Sequence, residues 1–357
     1  MMKKSIADYL TTPDVSVKEA MRQMNRVGEK ILFVVDGERI LLGALTDGDI
    51  RRWILKDGSL QTSIEQIFNR KPISHKLHYD PKEVSKIMLD NKLTGIPLID
   101  DKNQVEKILL WEDVFRDGEK VERAKLDIPV VIMAGGRGSR LEPFTRVLPK
   151  PLIPIGGKVI IEIILDQFEP YGVNEFFVSV NHKSKMIKSY FEEMNSDRTI
   201  SYIEEEEPLG TAGGLKFLKD KVKDIFLVSN CDIIIDCDYN EVVEFHRKHE
   251  YDMTIVGSFR HFVIPYGICE IGNGGLLTGM TEKPEYDFLV NTGMYILDKK
   301  TLDVIPPNQK YHVTDLINDL KKKNGRIGVF PINEKAWVDI GQWEEYRKAV
   351  AQFEEHL

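Results

Sequence analysis

The sequence has 357 residues, enough for two domains that each bury a core of their own. Its formal net charge is -8 and 30% of the residues are charged, with both signs interspersed, which argues against nucleic acid or an anionic membrane as the main partner. The N-terminus lacks the apolar segment of a signal peptide and no stretch approaches the roughly 20 apolar residues that span a bilayer, so we expect a cytoplasmic protein.

The cysteines exclude two kinds of covalent scaffold. Cys231, Cys237 and Cys269 form neither an even set for a disulfide framework nor a Cys-x-x-Cys metal clip. This usage is typical of a reducing compartment. We therefore expect all three to be reduced and buried.

An internal repeat occupies the first third of the chain. Residues 17–50 align with residues 81–114 without an insertion or deletion. Each copy has apolar residues at helical spacing, then two strands, then a helix that begins with acidic residues. The pattern resembles a tandem pair of cystathionine-β-synthase (CBS) domains, with copies at about residues 5–60 and 67–120. The resemblance implies an α/β module over residues 1–122 that binds an adenine nucleotide (AMP, ADP or ATP) between its copies.

In CBS domains, a Thr and an Asp at the start of the last helix hold the nucleotide's ribose. The resemblance places these roles on Thr46 and Asp49 of the first copy, in GALTDGDIRR. The second copy, KILLWED, has Leu110 in place of the Thr and keeps only Asp113, so at most one complete site is expected. The alternative is a purely structural pair. We also expect a homo-oligomer, with the CBS pair as the candidate contact.

From Asp127 onward, apolar strands alternate with helical patterns. Strands are predicted at IPVVIMA, EFFVSVN, DIFLVSNCD, MTIVGSF, VNTGMYILD and RIGVFPI. This alternation predicts an α/β domain over residues 123–357 with a Rossmann-like, mostly parallel mixed sheet and helices on both faces. Ligands of such sheets bind beyond the carboxyl ends of the strands.

A glycine-rich turn follows the first of these strands. Gly135, Gly136 and Gly138 allow the backbone to turn tightly and to present N–H groups to a phosphate. A P-loop would need Gly-Lys-Ser/Thr where the sequence has Gly-Ser-Arg, and a dinucleotide fingerprint would need a Gly at Leu141. A plain tight turn would carry the same glycines.

The next segment, EPFTRVLPKP, is punctuated by prolines and cannot form a regular helix. It must therefore fold Arg140 and Lys150 back over the glycines. A guanidinium fork and a compact ammonium group would neutralise a triphosphate at two points.

The stretch AGGRGSRLEPFTRVLPKPLIPIGGK resembles the signature of the sugar-1-phosphate nucleotidyltransferases, or nucleotide-sugar pyrophosphorylases. These enzymes join a nucleoside triphosphate to a sugar-1-phosphate and release pyrophosphate. Further matches follow in the family's order: LGTAGGL, SNCD, TEKP, VNTGMYIL and WVDIG. The resemblance implies a GT-A-like fold, and the CBS fusion is similar to that of hexose- or hexosamine-1-phosphate guanylyltransferases. GTP is the implied nucleotide, and glycan biosynthesis is the implied use of the product.

The resemblance also implies a metal and a set of catalytic residues. Two aspartates of the family share Mg²⁺, and Asp232 and Asp339 match them. The resemblance assigns Arg140 to the leaving pyrophosphate, Lys150 to the α-phosphate and Lys283, in TEKP, to the sugar phosphate.

Binding residues are implied in the same way. Nucleotide contacts are expected from Ala134, Gly135, Gly136, Gly138, Gly210 and Thr211. Sugar contacts are expected from Gly267, Glu282 and Asn291. The acidic run Glu204–Glu207 has two interpretations, a contact to a guanine edge or a solvated strand end.

Two alternatives stay open. One is the same reaction with UTP, CTP or dTTP. The other is a catalytically inactive regulator that binds a nucleotide or a sugar.

Overall fold

The computed structural model describes residues 5–91, 93–114, 123–136, 138–194 and 197–354. The chain divides into two compact units between residues 121 and 122. Among the described residues, no helix is both long enough and apolar enough to cross a bilayer.

The first unit contains two three-stranded sheets. Its elements are β1 (Leu10–Thr11), α1 (Val17–Val27), β2 (Ile31–Val35), β3 (Leu41–Thr46), α2 (Asp47–Ile54), β4 (His75–Lys76), α3 (Pro81–Asp90), β5 (Gly95–Ile99), β6 (Val105–Leu110) and α4 (Trp111–Val114). The sheet orders are β1-β2-β3 and β4-β5-β6. In each sheet the first pair of strands is parallel and the second is antiparallel.

The repeat seen in the sequence is a structural repeat. Ile31 pairs with Thr46 in the first sheet, and the matching residues Gly95 and Leu110 pair in the second. Each copy turns between its paired strands at an Asp whose Oδ1 accepts a backbone N–H, at Asp36 and at Asp100. The predicted tandem module is confirmed.

The two copies are joined through these turns. The N–H of Leu41 donates to the carbonyl of Asn103 at 2.9 Å, and the N–H of Val105 donates to the carbonyl of Arg39 at 3.0 Å. Val105 is fully buried and packs in one cluster with Phe33 of the first copy. The copies therefore share backbone hydrogen bonds and part of their core.

The second unit is built on one large sheet. Its elements are β7 (Val130–Met133), α5 (Phe144–Val147), β8 (Pro154–Ile155), β9 (Lys158–Val159), α6 (Ile160–Asp166), β10 (Glu175–Val180), α7 (Ser184–Glu193), β11 (Thr199–Glu204), β12 (Ile225–Asn230), β13 (Ile233–Ile235), α8 (Tyr239–Lys248), β14 (Met253–Val263), β15 (Ile268–Ile271), β16 (Leu277–Thr281), β17 (Glu285–Asp298), α9 (Val313–Lys322), β18 (Ile327–Ile332), β19 (Trp337–Asp339) and α10 (Trp343–Glu354).

The large sheet has seven strands in the order β11-β10-β7-β12-β17-β14-β18. Only β17 runs antiparallel to its neighbours, β12 and β14, while the other pairs are parallel. The central strands are continuous apolar runs because both of their faces are covered. The predicted mostly parallel mixed sheet is confirmed.

Helices lie on both faces of this sheet, as adjacent residues of β14 show. Met253 packs with Leu316 and Leu320 of α9. The next residue, Thr254, points to the opposite face and bonds through its hydroxyl to His246 of α8 at 2.9 Å. Since alternate residues of a strand face opposite sides, α8 and α9 cover opposite faces.

The cysteines are all free, but only Cys231 is buried. Cys269 is exposed, so the prediction that all three are buried is wrong at this position. It lies on β15, which pairs only with β16 in a two-stranded hairpin outside the large sheet. Cys237 is partly buried.

Candidate active site

The glycine-rich turn begins where β7 leaves the sheet. The N–H of Ala134 donates to the carbonyl of Ser179 on β10 at 2.9 Å, so this donor is used within the sheet. Gly136 is exposed, and a Cβ there would meet no atom within 4 Å. The backbone at Gly136 therefore borders open space at the carboxyl end of the central strands, where an anionic ligand would have room.

The segment that follows, residues 138–154, is here called the cationic loop. Gly138 has φ 66°, in the left-handed region that favours glycine. A Cβ at Gly138 would lie 2.9 Å from Thr145 and 3.0 Å from the Cβ of Lys150. The loop therefore folds back over the glycine turn, and its only α-helix is the single turn Phe144–Val147.

Two carboxylates meet beside this loop. Asp232 follows β12, and the antiparallel pair β13–β19 places Ile233 opposite Asp339. The N–H of Ile340 donates to the carbonyl of Asp232 at 2.8 Å. A Cβ on Gly341 would lie 2.8 Å from Oδ2 of Asp232 and 2.8 Å from Oδ1 of Asp339. The two side chains therefore converge on one point.

Lys150 reaches the same point. A Cβ on Gly341 would lie 3.1 Å from its Nζ, and the ammonium group donates a hydrogen bond to Oδ2 of Asp232. The loop thus carries its positive charge directly to the carboxylate at the end of β12.

Burial raises the pKa of the Asp339 carboxyl, and the charge of Asp232 acts in the same direction. The N–H of Gly341, which donates to Oδ1 of Asp339 at 2.7 Å, opposes this rise, as do the charges of Lys150 and Arg140. The site therefore holds two negative groups close together and offsets them with cations from the loop.

Arg140 lies in the 3-10 turn Ser139–Leu141 and its side chain is exposed. Its charge is felt at Asp339. Arg146, by contrast, forms an ion pair with Glu142 at 2.8 Å on the surface of the same loop. Arg140 is therefore the arginine of this loop whose charge lowers the pKa of the Asp339 carboxyl.

The second glycine turn contains Gly210 and Thr211. Gly210 has φ 82°, and a Cβ there would lie 2.7 Å from the carbonyl oxygen of Tyr311. The hydroxyl of Thr211 accepts the N–H of Val313 at 2.9 Å, at the start of α9. These contacts hold the turn against the beginning of α9.

Glu205 differs from the other glutamates of the acidic run and does not fit the interpretation as a solvated strand end. It is 8% exposed, whereas Glu204, Glu206 and Glu207 are exposed. Its Oε1 accepts the Ser179 hydroxyl at 2.6 Å.

Contacts on its other side tie Glu205 to the second glycine turn. Oε2 accepts the N–H of Leu209 at 2.9 Å. A Cβ at Gly214 would clash with Oε1, and one at Gly135 would lie 3.8 Å from it. Glu205 is thus packed between the two glycine turns, and no local pattern in the sequence separates it from the neighbouring glutamates.

The predicted sugar-binding residues lie on and beside the β14–β17 ribbon. A Cβ on Gly267 would lie 2.8 Å from Oε2 of Glu282, so these two residues come together. Lys283 is exposed with φ 44°. The Asn291 amide donates to the Tyr295 hydroxyl at 2.8 Å. Within the described part of the chain, no hydrogen bond or ion pair joins Lys283 or Asn291 to the two carboxylates.

In the first unit, the residues expected to hold a ribose form helix caps. The Thr46 hydroxyl donates to Oδ2 of Asp49 at 2.6 Å and accepts the Asp49 N–H at 3.2 Å. In the second copy, Oδ2 of Asp113 accepts the N–H of Leu110 at 2.9 Å. Both helix starts are therefore capped without a ligand, and only the first has the reciprocal capping box.

Comparison with known families agrees with this geometry. The Nucleotidyl transferase family model matches residues 129–356. The CBS domain model matches residues 6–56, which is the first copy of the repeat. The chain belongs to the nucleotidyl transferase family.

Similar curated proteins include a UTP--glucose-1-phosphate uridylyltransferase of Synechocystis, 31% identical over 242 residues, with 62% of each chain covered. A mannose-1-phosphate guanyltransferase of Candida albicans is 31% identical over 231 residues, which is 60% of this chain and 62% of that protein. The chain thus spans 62% of the length of these two relatives.

Among solved structures, HddC from Yersinia pseudotuberculosis is similar, with a TM-score of 0.52 and 29% identity over 63% of this chain and 99% of that one. A second HddC structure, complexed with GMP-PN, has a TM-score of 0.51 and 28% identity, with the same coverage.

Proposed function

We propose that this protein transfers a nucleoside monophosphate from a nucleoside triphosphate to a sugar-1-phosphate. An oxygen of the sugar phosphate attacks the α-phosphorus, the bond from the α-phosphorus to the bridging oxygen breaks, and pyrophosphate leaves. The observation that carries the proposal is the convergence of Asp232, Asp339 and Lys150 at Gly341, beside a glycine turn that borders open space. Membership of the nucleotidyl transferase family supports it.

The two carboxylates fit Mg²⁺. This ion binds through one or two carboxylates together with substrate phosphates and water, so a larger protein cage is not needed. The described residues contain no group of three or more His, Cys, Asp or Glu side chains arranged for a metal. Asp232 and Asp339 would hold the ion, which would supply positive charge between the two phosphate groups.

The side chains then have distinct tasks. A sugar-1-phosphate is already largely ionised at neutral pH, because its second pKa is about 6, so no general base is required. The cationic loop binds the triphosphate, with Lys150 at the α-phosphate and Arg140 at the departing pyrophosphate. Lys283 orients the sugar phosphate, and Gly267, Glu282 and Asn291 contact the sugar.

The nucleotide we propose is GTP, and the sugar is a hexose or hexosamine. The Candida relative is named a mannose-1-phosphate guanyltransferase, and the similar HddC structure is a complex with GMP-PN, which support this choice. UTP is the second candidate, since the Synechocystis relative is named for UTP. CTP and dTTP complete the set to be tested.

The experiment is a matrix of four triphosphates against several sugar-1-phosphates, with Mg²⁺ present. Pyrophosphate release and the mass of the nucleotide-sugar product are measured together. A single productive pair identifies both substrates. Silence over the whole matrix, with nucleotide binding retained, would favour the inactive regulator.

The CBS pair is proposed to bind AMP, ADP or ATP through Thr46 and Asp49 and to adjust turnover. The alternative, a purely structural CBS pair, is supported by the capping box that these two residues already form.

Turnover measured with and without saturating AMP or ATP separates regulation from a structural role. Thr46→Ala should abolish any effect of the nucleotide on turnover. A matched substitution of Asp113 should leave that effect unchanged, because the second copy lacks the Thr.

The setting of the protein is part of the same proposal. A nucleotide-sugar enzyme with these substrates would work in the cytoplasm, without nucleic acid or membrane partners. A homo-oligomer formed through the CBS pair is the proposed assembly.

A further inference from the structure

We propose that Trp343 is a positioning residue that holds the cationic loop at a fixed distance from Asp339. The inference rests on the proposed function for its kinetic consequence. It depends on contacts between α10 and the loop, which the family motifs did not indicate.

Trp343 touches the loop in two ways. Its Nε1 donates to the carbonyl of Glu142 at 2.9 Å. Its ring packs on Phe144, with the ring centroids 5.1 Å apart. Tyr346, one turn further along α10, donates its hydroxyl to the carbonyl of Pro154 at 2.7 Å. These aromatic residues therefore hold the loop at its middle and at its end.

The loop has few other means of fixing its middle. Its ends are anchored by the buried side chains of Leu141 and Leu152. Between them, Phe144 is 40% exposed and Val147 is 72% exposed, and Thr145, at 5% exposure, is the buried residue of the turn Phe144–Val147. Prolines remove backbone donors along the segment, and its one helical turn is too short to be stable alone.

A second anchor lies on the other side of the loop. Lys183 Nζ donates to the carbonyl of Thr145 at 3.1 Å and to that of Arg146 at 2.8 Å. The middle of the loop is therefore held between Lys183, which follows β10, and Trp343. Removal of either anchor leaves the loop tethered on one side.

Trp343 also belongs to the segment that carries the second carboxylate. Asp339 ends β19, Ile340 bonds to the backbone of Asp232, and Gly341 lies against both carboxylates. α10 begins at Trp343, directly after these residues. One short segment thus joins the carboxylates to the loop that supplies Arg140 and Lys150, so Trp343 sets the distance between the two halves of the site.

The test compares Trp343→Phe, which keeps the ring and loses the Nε1 donor, with Trp343→Ala, which loses both contacts. Arg347→Ala is the control, because Arg347 is exposed on the same helix. We expect kcat to fall about 3-fold for Trp343→Phe and about 10- to 100-fold for Trp343→Ala, because small displacements of positioned groups are costly. In both Trp343 variants, KM for the triphosphate should rise more than KM for the sugar phosphate. The melting temperature of the protein should stay unchanged.

Hydrogen exchange gives a readout that does not depend on turnover. In the full-length protein, the amides of Arg146 and Leu148 are bonded within the loop at 3.0 and 2.9 Å. Trp343→Ala should speed their exchange while the amides of β7 and β12 stay protected. Arg347→Ala should change neither set.

The outcomes separate the two proposals. Wild-type kinetics and wild-type exchange of the loop in Trp343→Ala would overturn the positioning role and leave the proposed function intact. If the wild-type protein turns over no substrate pair, the proposed function fails, and the exchange experiment still decides whether Trp343 holds the loop.

Discussion

Lys150 and Asp232 form an ion pair although they are 82 residues apart in the chain. The lysine comes from the loop after β7 and the aspartate from the end of β12, two strands that are parallel neighbours in the large sheet. The carboxyl ends of adjacent parallel strands lie at one edge, which is why these residues meet.

The first prediction concerns this pair. Asp232→Asn should reduce turnover by a factor on the order of 10³ or more, because it removes one of the two carboxylates that we propose hold Mg²⁺. Pyrophosphate release at saturating substrates measures the effect. Asp220→Asn, at an exposed acidic residue of the same unit, is the matched control and should keep wild-type turnover. Comparable activity in the two variants would remove Asp232 from the site.

The second prediction uses Gly341. In Gly341→Ala, the new methyl group would lie 2.8 Å from an oxygen of each carboxylate, closer than carbon and oxygen can approach without movement. We expect the carboxylates to separate and kcat to fall about 10²-fold with the fold intact. Circular dichroism and turnover measure the two effects. Unchanged turnover would show that the carboxylates need not converge.

The third prediction distinguishes an effect of Gly136 on ligand binding from an effect on protein packing. A Cβ at Gly136 or at Gly157 meets no protein atom within 4 Å, so alanine at either position should leave the melting temperature unchanged. Gly136→Ala should nevertheless weaken triphosphate binding about 10-fold or more, because its methyl group would occupy the space that we propose for the phosphates. Gly157→Ala, in the turn between β8 and β9, should bind normally. Equal affinities, measured by calorimetry, would place the triphosphate elsewhere.

The fourth prediction concerns Glu205. Glu205→Ala leaves the Ser179 hydroxyl and the Leu209 N–H without their buried acceptor. An unsatisfied buried polar group costs about 1–3 kcal/mol, so the free energy of unfolding should fall by about that amount or more. Urea unfolding measures it, with Glu206→Ala as the exposed control. If Glu206→Ala lowered the free energy of unfolding as much as Glu205→Ala, the role of Glu205 as a buried hydrogen-bond acceptor would be contradicted.

The fifth prediction concerns pH. Burial lowers the pKa of His246 to about 4, and its ring bonds to Thr254. In the unfolded chain the imidazole has a pKa near 6.5, so between these values the unfolded state binds the extra proton. The stability that His246 contributes is complete above about pH 6.5 and is lost as pH falls toward 4.

Urea unfolding at about pH 7.5 and pH 5 tests this effect. Because carboxylates also respond to pH, the comparison is with His246→Gln, whose stability should fall less over the same interval. Equal losses in the two proteins would assign the pH dependence to other groups.

Much of the fold was predictable from sequence because its strands are short apolar runs bounded by turns. The β14–β17 ribbon was not. MTIVGSF and VNTGMYILD predict its inner halves, but β14 continues to Val263 and β17 begins at Glu285. Outside the large sheet both faces of the ribbon meet solvent, as the exposed consecutive residues Phe288 and Leu289 show, so no alternation marks these strand ends.

The site was predictable to a different degree. Local motifs singled out the glycine turn and each aspartate separately. The convergence of Asp232 and Asp339 depends on the small β13–β19 pair, which brings together segments from distant parts of the chain. Glu205 and Trp343 act through tertiary contacts alone, and their immediate neighbours in sequence give no sign of them.

The mutual bonding of the two CBS copies has a consequence for the shape this repeat can take. The turn of each copy is hydrogen-bonded to the other copy, because the Leu41 N–H donates to the Asn103 carbonyl and the Val105 N–H donates to the Arg39 carbonyl. A lone first copy would expose apolar surface around Phe33, and the Leu41 N–H and the Arg39 carbonyl would lose their partners in the second copy. The second copy, with Leu110 where the first has Thr46, is thus required to complete the first copy although it lacks the hydroxyl of Thr46.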